Sequence, residues 1–171
     1  NLMDEQFLGT ENMEILLETK TEGSFRDPEM LYALESIKTW LEIRYPELVT
    51  YNWTMNNQLK QTHKKLMGSD EEAYKIPKSP ELISQLLLLI EGGDYEDLER
   101  VVSIDYANAR MSVSLKTIGS KKSVELINVV QPELERIIAP MKKRYPGLKV
   151  TVTGRDIVRG VPKQVLLEAS D

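Results

Sequence analysis

Residues 110–116 read Arg-Met-Ser-Val-Ser-Leu-Lys, and they form the clearest strand pattern in the chain. The apolar residues Met111, Val113 and Leu115 alternate with polar ones. A period of two with one apolar side is typical of a strand that buries one face. This heptapeptide therefore predicts a strand in a sheet with one covered face, and the sequence on either side can be read outward from it.

The residues that follow predict a helix and a second strand. Apolar residues recur at helical spacing over 121–144, and Pro132 and Pro140 are expected to kink or split this helix. Residues 148–153 then alternate again between apolar and polar. We expect a strand–helix–strand unit over 103–154.

The same plan occurs earlier in the chain. Residues 12–19 alternate, and Asp27 followed by proline predicts the start of an amphipathic helix, Pro28–Arg44. Residues 48–53 are rich in β-branched and aromatic side chains, which favour a strand. The segment 12–53 is thus a second β-α-β unit.

The two predicted helices end in one shared motif. Residues 44–48 and 144–148 both read Arg-Tyr-Pro-x-Leu, and each copy lies between an amphipathic helix and a strand. A match in the same structural position suggests an internal duplication. Two such units in one sheet predict an α+β fold of the ferredoxin-like, split β-α-β type, with both helices on one face.

A mainly helical insert, 55–102, separates the two units. Residues 56–67 predict a polar helix on which His63 is expected to face solvent, and residues 80–91 predict an apolar one. An insert of this length should carry structure or function of its own. Residues 161–171 predict the start of a further helix, so the whole range 1–171 is expected to form a single domain.

Composition excludes several classes of function. The formal net charge of −5 is unfavourable for a nucleic-acid partner. The chain has no cysteine and one histidine, which disfavours thiolate metal sites and histidine relays. We find no catalytic constellation, cofactor motif or metal-ligand spacing, and we expect a protein that is not an enzyme. No apolar run reaches the roughly 20 residues needed to cross a bilayer. The chain begins with Asn1 instead of an initiator methionine, which favours an excised piece or a processed product.

Two apolar groups are candidates for substrate contact. Tyr51, Trp53 and Met55 alternate along one side of the predicted second strand and continue into the insert. Leu86 and Leu89 belong to an apolar helix whose arc is wider than one buried face requires. Burial in the core is the alternative interpretation for both groups.

In this arrangement the chain resembles the extracytoplasmic porter domain of resistance–nodulation–division (RND) superfamily exporters, in particular the MMPL-type branch that exports hydrophobic and lipid-like compounds. The matching stretches are 13–17, 28–53, 103–116 and, most specifically, Val-Thr-Val-Thr-Gly at 150–154 followed by Arg-Asp-Ile. The resemblance extends over about residues 10–170.

This resemblance implies a loop domain on the periplasmic side of the cytoplasmic membrane, within a proton-driven membrane exporter. It implies a hydrophobic or amphiphilic small molecule or lipid as the substrate, bound weakly by the isolated domain. A second homologous porter domain of the same parent chain would be the protein partner. The proton-relay acids of such exporters lie in membrane helices, so no residue of this chain is assigned that role.

Two alternatives remain open at the level of sequence. One is a stand-alone ferredoxin-like ligand-binding or sensor module, which would use the helix-free sheet face or a dimer interface. The other is the loop of a related protein-translocation subunit.

Overall fold

The structure, a computed structural model, describes residues 10–116 and 119–154. Within these ranges the strands are β1 (Thr10–Glu18), β2 (Val49–Trp53), β3 (Asn108–Lys116) and β4 (Lys149–Gly154). The helices are α1 (Pro28–Arg44), α2 (Met55–Leu66), α3 (Pro80–Gly93), α4 (Tyr95–Glu99) and α5 (Ser120–Ile138). Short 3-10 turns occupy Ser24–Arg26, Glu71–Ala73 and Ala139–Lys142. The α+β class predicted from the sequence is confirmed.

The four strands form one antiparallel sheet in the order β2-β3-β1-β4. The first unit consists of β1, α1 and β2, and the second of β3, α5 and β4. β3 lies between the two strands of the first unit, and β1 lies between the two strands of the second. Each unit therefore depends on a strand of the other unit for its backbone hydrogen bonds.

Helix α1 begins and ends as its sequence predicts. The Asp27 carboxylate accepts a hydrogen bond from the Glu29 N–H at 3.0 Å, and Pro28 occupies the first helical position. The helix ends at Arg44, before Tyr45 and Pro46, because proline disfavours helical geometry at the residue that precedes it. Its buried stripe faces the sheet: Met30, Leu31, Leu34, Ile37 and Leu41.

The helix predicted over 121–144 is interrupted at only one of its two prolines, and its regular part is α5. It continues through Pro132 and gives way to a 3-10 turn that contains Pro140. Proline at 132 removes a hydrogen bond to the carbonyl of Asn128, and Asn128 is exposed, so water can satisfy that carbonyl.

Helix α5 also contacts the edge of the sheet through Gln131. This side chain donates to the Val150 carbonyl at 2.8 Å and accepts from the Val152 N–H at 2.9 Å. Its side-chain amide thus satisfies backbone groups of β4, which lies at the edge of the sheet.

One face of the sheet packs against the core. Its buried side chains are Met13, Ile15 and Leu17 of β1, Met111, Val113 and Leu115 of β3, and Val150 and Val152 of β4. Val130, Leu134 and Ile138 of α5 belong to the same apolar cluster. The insert joins this cluster through Met55, Leu59, Ile83, Leu86 and Leu87, so its helices pack on the two units instead of standing apart.

The expectation that His63 of α2 faces solvent is wrong. His63 is only 5% exposed, and its Nδ1 lies 2.6 Å from the Ala73 carbonyl oxygen. The 3-10 turn Glu71–Ala73 folds back over the helix and covers this ring. Lys60 is buried as well, because its ammonium group pairs with Glu35 of α1. His63 and Lys60 of α2 are therefore buried against polar partners, whereas Gln61 and Lys65 of the same helix are exposed.

Two expectations about membrane spans and the chain end can be compared with the structure. Among the described residues, no helix is both long enough and apolar enough to cross a bilayer. The helix start predicted at 161–171 lies outside the described residues.

Candidate functional site

The sheet has a second face that α1 and α5 do not cover, which we call the open face. Its side chains are half-buried or exposed: Asn12, Glu14, Leu16 and Glu18 of β1, Tyr51 and Trp53 of β2, Arg110, Ser112, Ser114 and Lys116 of β3, and Lys149, Thr151 and Thr153 of β4. Residues directly opposite in antiparallel strands point to the same face. The register sets Tyr51 opposite Ser114 and Trp53 opposite Ser112, which places the two aromatic residues on this face.

A backbone irregularity directs the aromatic pair outward. The pairing of β2 with β3 shifts between Val49 and Tyr51, so Thr50 is an extra residue in the ladder. Val49 faces the core opposite Leu115, whereas Tyr51 faces out; without the shift, the two would share a face. The Thr50 hydroxyl donates to the Ser114 carbonyl at 3.0 Å and fixes this geometry.

Tyr51 and Trp53 form a flat aromatic surface at the β2 edge. Their ring centroids are 6.2 Å apart and their planes differ by 8°, and the Tyr51 side chain is 56% exposed. Between them, Asn52 faces the opposite way and is only 5% exposed. Neither its Oδ1 nor its Nδ2 has a hydrogen-bond partner among the described residues.

Hydroxyl groups lie beside the aromatic surface. The Ser112 hydroxyl donates to Glu14 Oε2 at 3.1 Å, and the Ser114 hydroxyl donates to Asn12 Oδ1 at 3.4 Å. Thr153 lies directly opposite Glu14 on β4. The open face thus offers an apolar surface at one edge and hydrogen-bonding groups beside it, which suits a ligand with an apolar part and a polar part.

The structure separates the five candidates predicted for substrate contact. Tyr51 and Trp53 lie together on the open face. Met55 and Leu86 have no exposed surface and pack in the core. Met55 turns inward because Thr54 ends the strand and caps α2 through a hydrogen bond from the Asn56 N–H. Leu89 is 57% exposed on α3, beside the exposed Leu88. Substrate contact by these residues stays a prediction.

Another polar cluster joins the two units and was not predicted. Asp27 Oδ2 accepts hydrogen bonds from Arg144 Nη1 at 2.8 Å and from the Tyr145 hydroxyl at 2.7 Å. We call Asp27, Arg144 and Tyr145 the clasp. The repeated Arg-Tyr-Pro-x-Leu motif was the available signal, but a motif does not reveal its partner in a distant segment.

The clasp shifts the ionisation of its members. Partial burial of Asp27 opposes its charge, but hydrogen bonds from Tyr145 and Arg144 outweigh burial and lower the pKa of this carboxyl. Burial, together with the hydrogen bond to Asp27, raises the pKa of Tyr145 to about 12. At neutral pH the clasp therefore contains a carboxylate, a guanidinium and a protonated phenol.

Neither a metal ion nor a known relative identifies the site. Across 10–116 and 119–154, no three histidine or acidic side chains are grouped so that they could hold a metal ion. Comparisons of the chain with protein-family models, with curated proteins and with solved structures find no match.

Proposed function

We propose that this chain is an extracytoplasmic porter domain of an RND superfamily exporter of the MMPL type, built on a ferredoxin-like split β-α-β fold. The strand order β2-β3-β1-β4, in which the two units interleave, is the observation that carries this proposal. The helical insert between β2 and β3 adds to it. In this proposal the domain lies on the periplasmic side of the cytoplasmic membrane as part of an integral membrane protein.

The open face supports a role in passing a hydrophobic or lipid-like compound. The Tyr51–Trp53 surface would contact the apolar part of such a compound, and Ser112 and Ser114 would offer hydrogen bonds to its polar part. The clasp and the shared core hold the two units together, so the domain would move as one body. A second homologous domain of the parent chain would form the other side of the passage.

The first test reads the gene on both sides of the segment that encodes this chain. We expect an apolar run of roughly 20 codons on each side, the length needed to span a bilayer. A stop codon soon after Asp171 together with a start codon just before Asn1 would overturn the proposal. That result would favour a stand-alone ligand-binding or sensor module.

The next test measures transport by the parent protein. We expect Tyr51→Ala combined with Trp53→Ala to raise retention of a hydrophobic fluorescent dye in cells several-fold, because the aromatic surface is lost. The matched control, Ile43→Ala combined with Val129→Ala, removes two exposed apolar side chains from the helices. Equal retention in both double variants, at equal protein levels, would remove the open face from the passage.

A third test uses the isolated chain. If the passage needs two homologous domains, lipid titration of this chain alone should give weak binding, because only one wall is present. Tight binding of one lipid per chain would contradict this arrangement and favour the stand-alone binding module. The loop of a protein-translocation subunit would have membrane spans on both sides but give no dye transport.

A further inference from the structure

A cavity of about 290 Å³ lies outside the sites described above. It forms where the turn before α1, the end of α3, the short helix α4 and the loop before β3 meet. Arg26, Glu91, Glu99 and Tyr106 are among its lining residues. Small-molecule sites in proteins start at about 300 Å³, so this cavity lies at the lower limit and suits only a ligand with few non-hydrogen atoms.

Tyr106 organises the polar side of this cavity. Its side chain is only 3% exposed, and its hydroxyl donates to Glu91 Oε2 at 2.5 Å. The Arg26 guanidinium lies over the tyrosine ring, with Cζ 4.4 Å from the ring centroid. Burial and the Glu91 carboxylate raise the pKa of Tyr106 far above its usual value, so the phenol stays a hydrogen-bond donor at neutral pH.

The backbone holds Tyr106 in place at a conformational cost. Its φ of 58° lies in the left-handed region, which is unfavourable for a residue other than glycine. Hydrogen bonds on both sides maintain it: the Tyr106 N–H donates to the Ser103 carbonyl, and the Tyr106 carbonyl accepts from the Phe25 N–H, both at 2.9 Å. Such strain persists only where the surroundings impose it, and it is common at binding sites.

The charges around the cavity are opposite in sign and are not paired with each other. Among the described residues, no ion pair links Arg26 to Glu91 or to Glu99. A molecule that carries both charges a short distance apart could contact all three side chains. A planar guanidinium matches a carboxylate through two parallel hydrogen bonds.

The rest of the lining combines two hydroxyl-bearing residues, Tyr95 and Ser103, with an apolar wall. Leu98 and Val102 are buried in the wall, and the exposed Ile104 lies in the lining beside them. We propose that this cavity binds a small aliphatic amino acid as its zwitterion. The carboxylate lies on Arg26, the ammonium group lies between Glu91 and Glu99, and the side chain contacts the apolar wall. This inference does not rest on the proposed exporter function.

The test compares three probes that share the isobutyl side chain of leucine, by calorimetric titration of the 171-residue chain. L-Leucine carries both charges, 3-methylbutylamine only the positive one, and 4-methylpentanoate only the negative one. We expect leucine to bind with a dissociation constant on the order of 1 mM, about tenfold more tightly than either analogue. No leucine binding at concentrations of about 10 mM, or equal binding of leucine and one analogue, would overturn the proposal.

Variants then test which side chain meets which charge. Arg26→Gln should lower leucine affinity about tenfold, to that of 3-methylbutylamine, and leave binding of the amine unchanged. Glu91→Gln, which can still accept from Tyr106, should instead reduce binding of leucine and of the amine. Arg100→Gln, on an exposed residue outside the lining, is the matched control. Unchanged leucine binding in Arg26→Gln would contradict the proposal. Misfolding would weaken the binding of leucine and of the amine alike, so it would not explain a variant that loses affinity for leucine only.

Discussion

The two β-α-β units end their helices with the same five-residue pattern, yet the two copies make different contacts. In the first unit, Tyr45 is half-buried and meets Trp40 of its own helix edge to face, with the ring centroids 5.9 Å apart. In the second unit, Tyr145 is buried and reaches Asp27 of the first unit. One motif therefore stabilises a helix end locally in one copy and joins the two units in the other.

The two edges of the sheet differ in a similar way. At the β4 edge, Gln131 of α5 satisfies backbone groups of the strand. At the β2 edge, an extra residue shifts the register and turns the aromatic pair outward, with Tyr51 exposed and Trp53 half-buried. Natural sheets protect edges that would otherwise pair with other chains. In this protein the protected edge belongs to the second unit, and the aromatic surface belongs to the first.

The largest effect is expected from breaking the clasp. Asp27→Ala removes the α1 cap, worth about 1 kcal/mol, and leaves Tyr145 and Arg144 without their acceptor, for a total loss of about 3 kcal/mol in unfolding free energy. Asp70→Ala is the matched control, because Asp70 of the insert caps a 3-10 turn through the Glu72 N–H and, among the described residues, has no hydrogen bond to either β-α-β unit. Urea denaturation measures both, and equal losses would show that the clasp adds nothing beyond capping.

A smaller loss is expected at the protected edge. Gln131→Leu removes two hydrogen bonds to β4, and we expect a loss of about 2 kcal/mol in unfolding free energy. Hydrogen exchange of the Val152 amide should accelerate, because its acceptor is lost. Gln61→Leu, on an exposed position of α2, controls for the change in side-chain type. If the Val152 amide exchanges at the wild-type rate in Gln131→Leu, the edge does not depend on this side chain.

The two tyrosines of the repeated motif allow a direct comparison. Tyr145→Phe deletes a hydrogen bond to a carboxylate and should cost about 1.5 kcal/mol, whereas Tyr45→Phe should stay within about 0.5 kcal/mol of wild type. The same atom is removed in both variants, so the difference isolates the contact between units. Thermal or urea unfolding of the two variants measures the difference in stability. Losses of equal size would mean that both copies of the motif act locally.

The smallest expected effect depends on pH. The pKa of Asp27 is lowered in the folded chain, so its charge stabilises the fold above the unfolded pKa of about 3.9. This contribution is lost as the pH falls through the lower, folded value. Since Asp27 is partly exposed, we expect wild type to exceed Asp27→Asn by less than about 1 kcal/mol at pH 7. The gap should close in acid, and a gap that stays constant down to pH 2 would contradict the assignment.

Local sequence patterns predicted the helices and strands of this fold. They did not predict the contacts between segments that are distant in the sequence. Period-two alternation located β3, and Asp27 with Pro28 located the start of α1, because both signals lie within a few neighbouring residues. The extra residue at Thr50 and the burial of Lys60 against Glu35 depend on partners far away in the chain. The spacing of residues within one segment does not identify partners in another segment.

The candidate site follows the same division. The proximity of Tyr51 and Trp53 was predictable, since residues two apart in a strand share a face. Met55 was placed with them by extending the strand pattern, but the Thr54 cap ends the strand and directs Met55 into the core. The clasp was not predictable, because it forms where the segment after α5 meets the start of α1. The spacing of residues within each segment does not show that the two segments are neighbours.

The buried side chain of Asn52 has a consequence for producing this protein. Asn52-Trp53-Thr54 is an acceptor sequence for N-linked glycans, which are bulky and need a surface position. In the secretory pathway of a eukaryotic host, glycans are attached before the chain has folded, and a glycan on Nδ2 has no room on the core side of β2. The modified chains would therefore be unable to reach this fold. Asn52→Val removes the acceptor and replaces an unpartnered amide with an apolar group, while Thr54 is kept as the cap of α2.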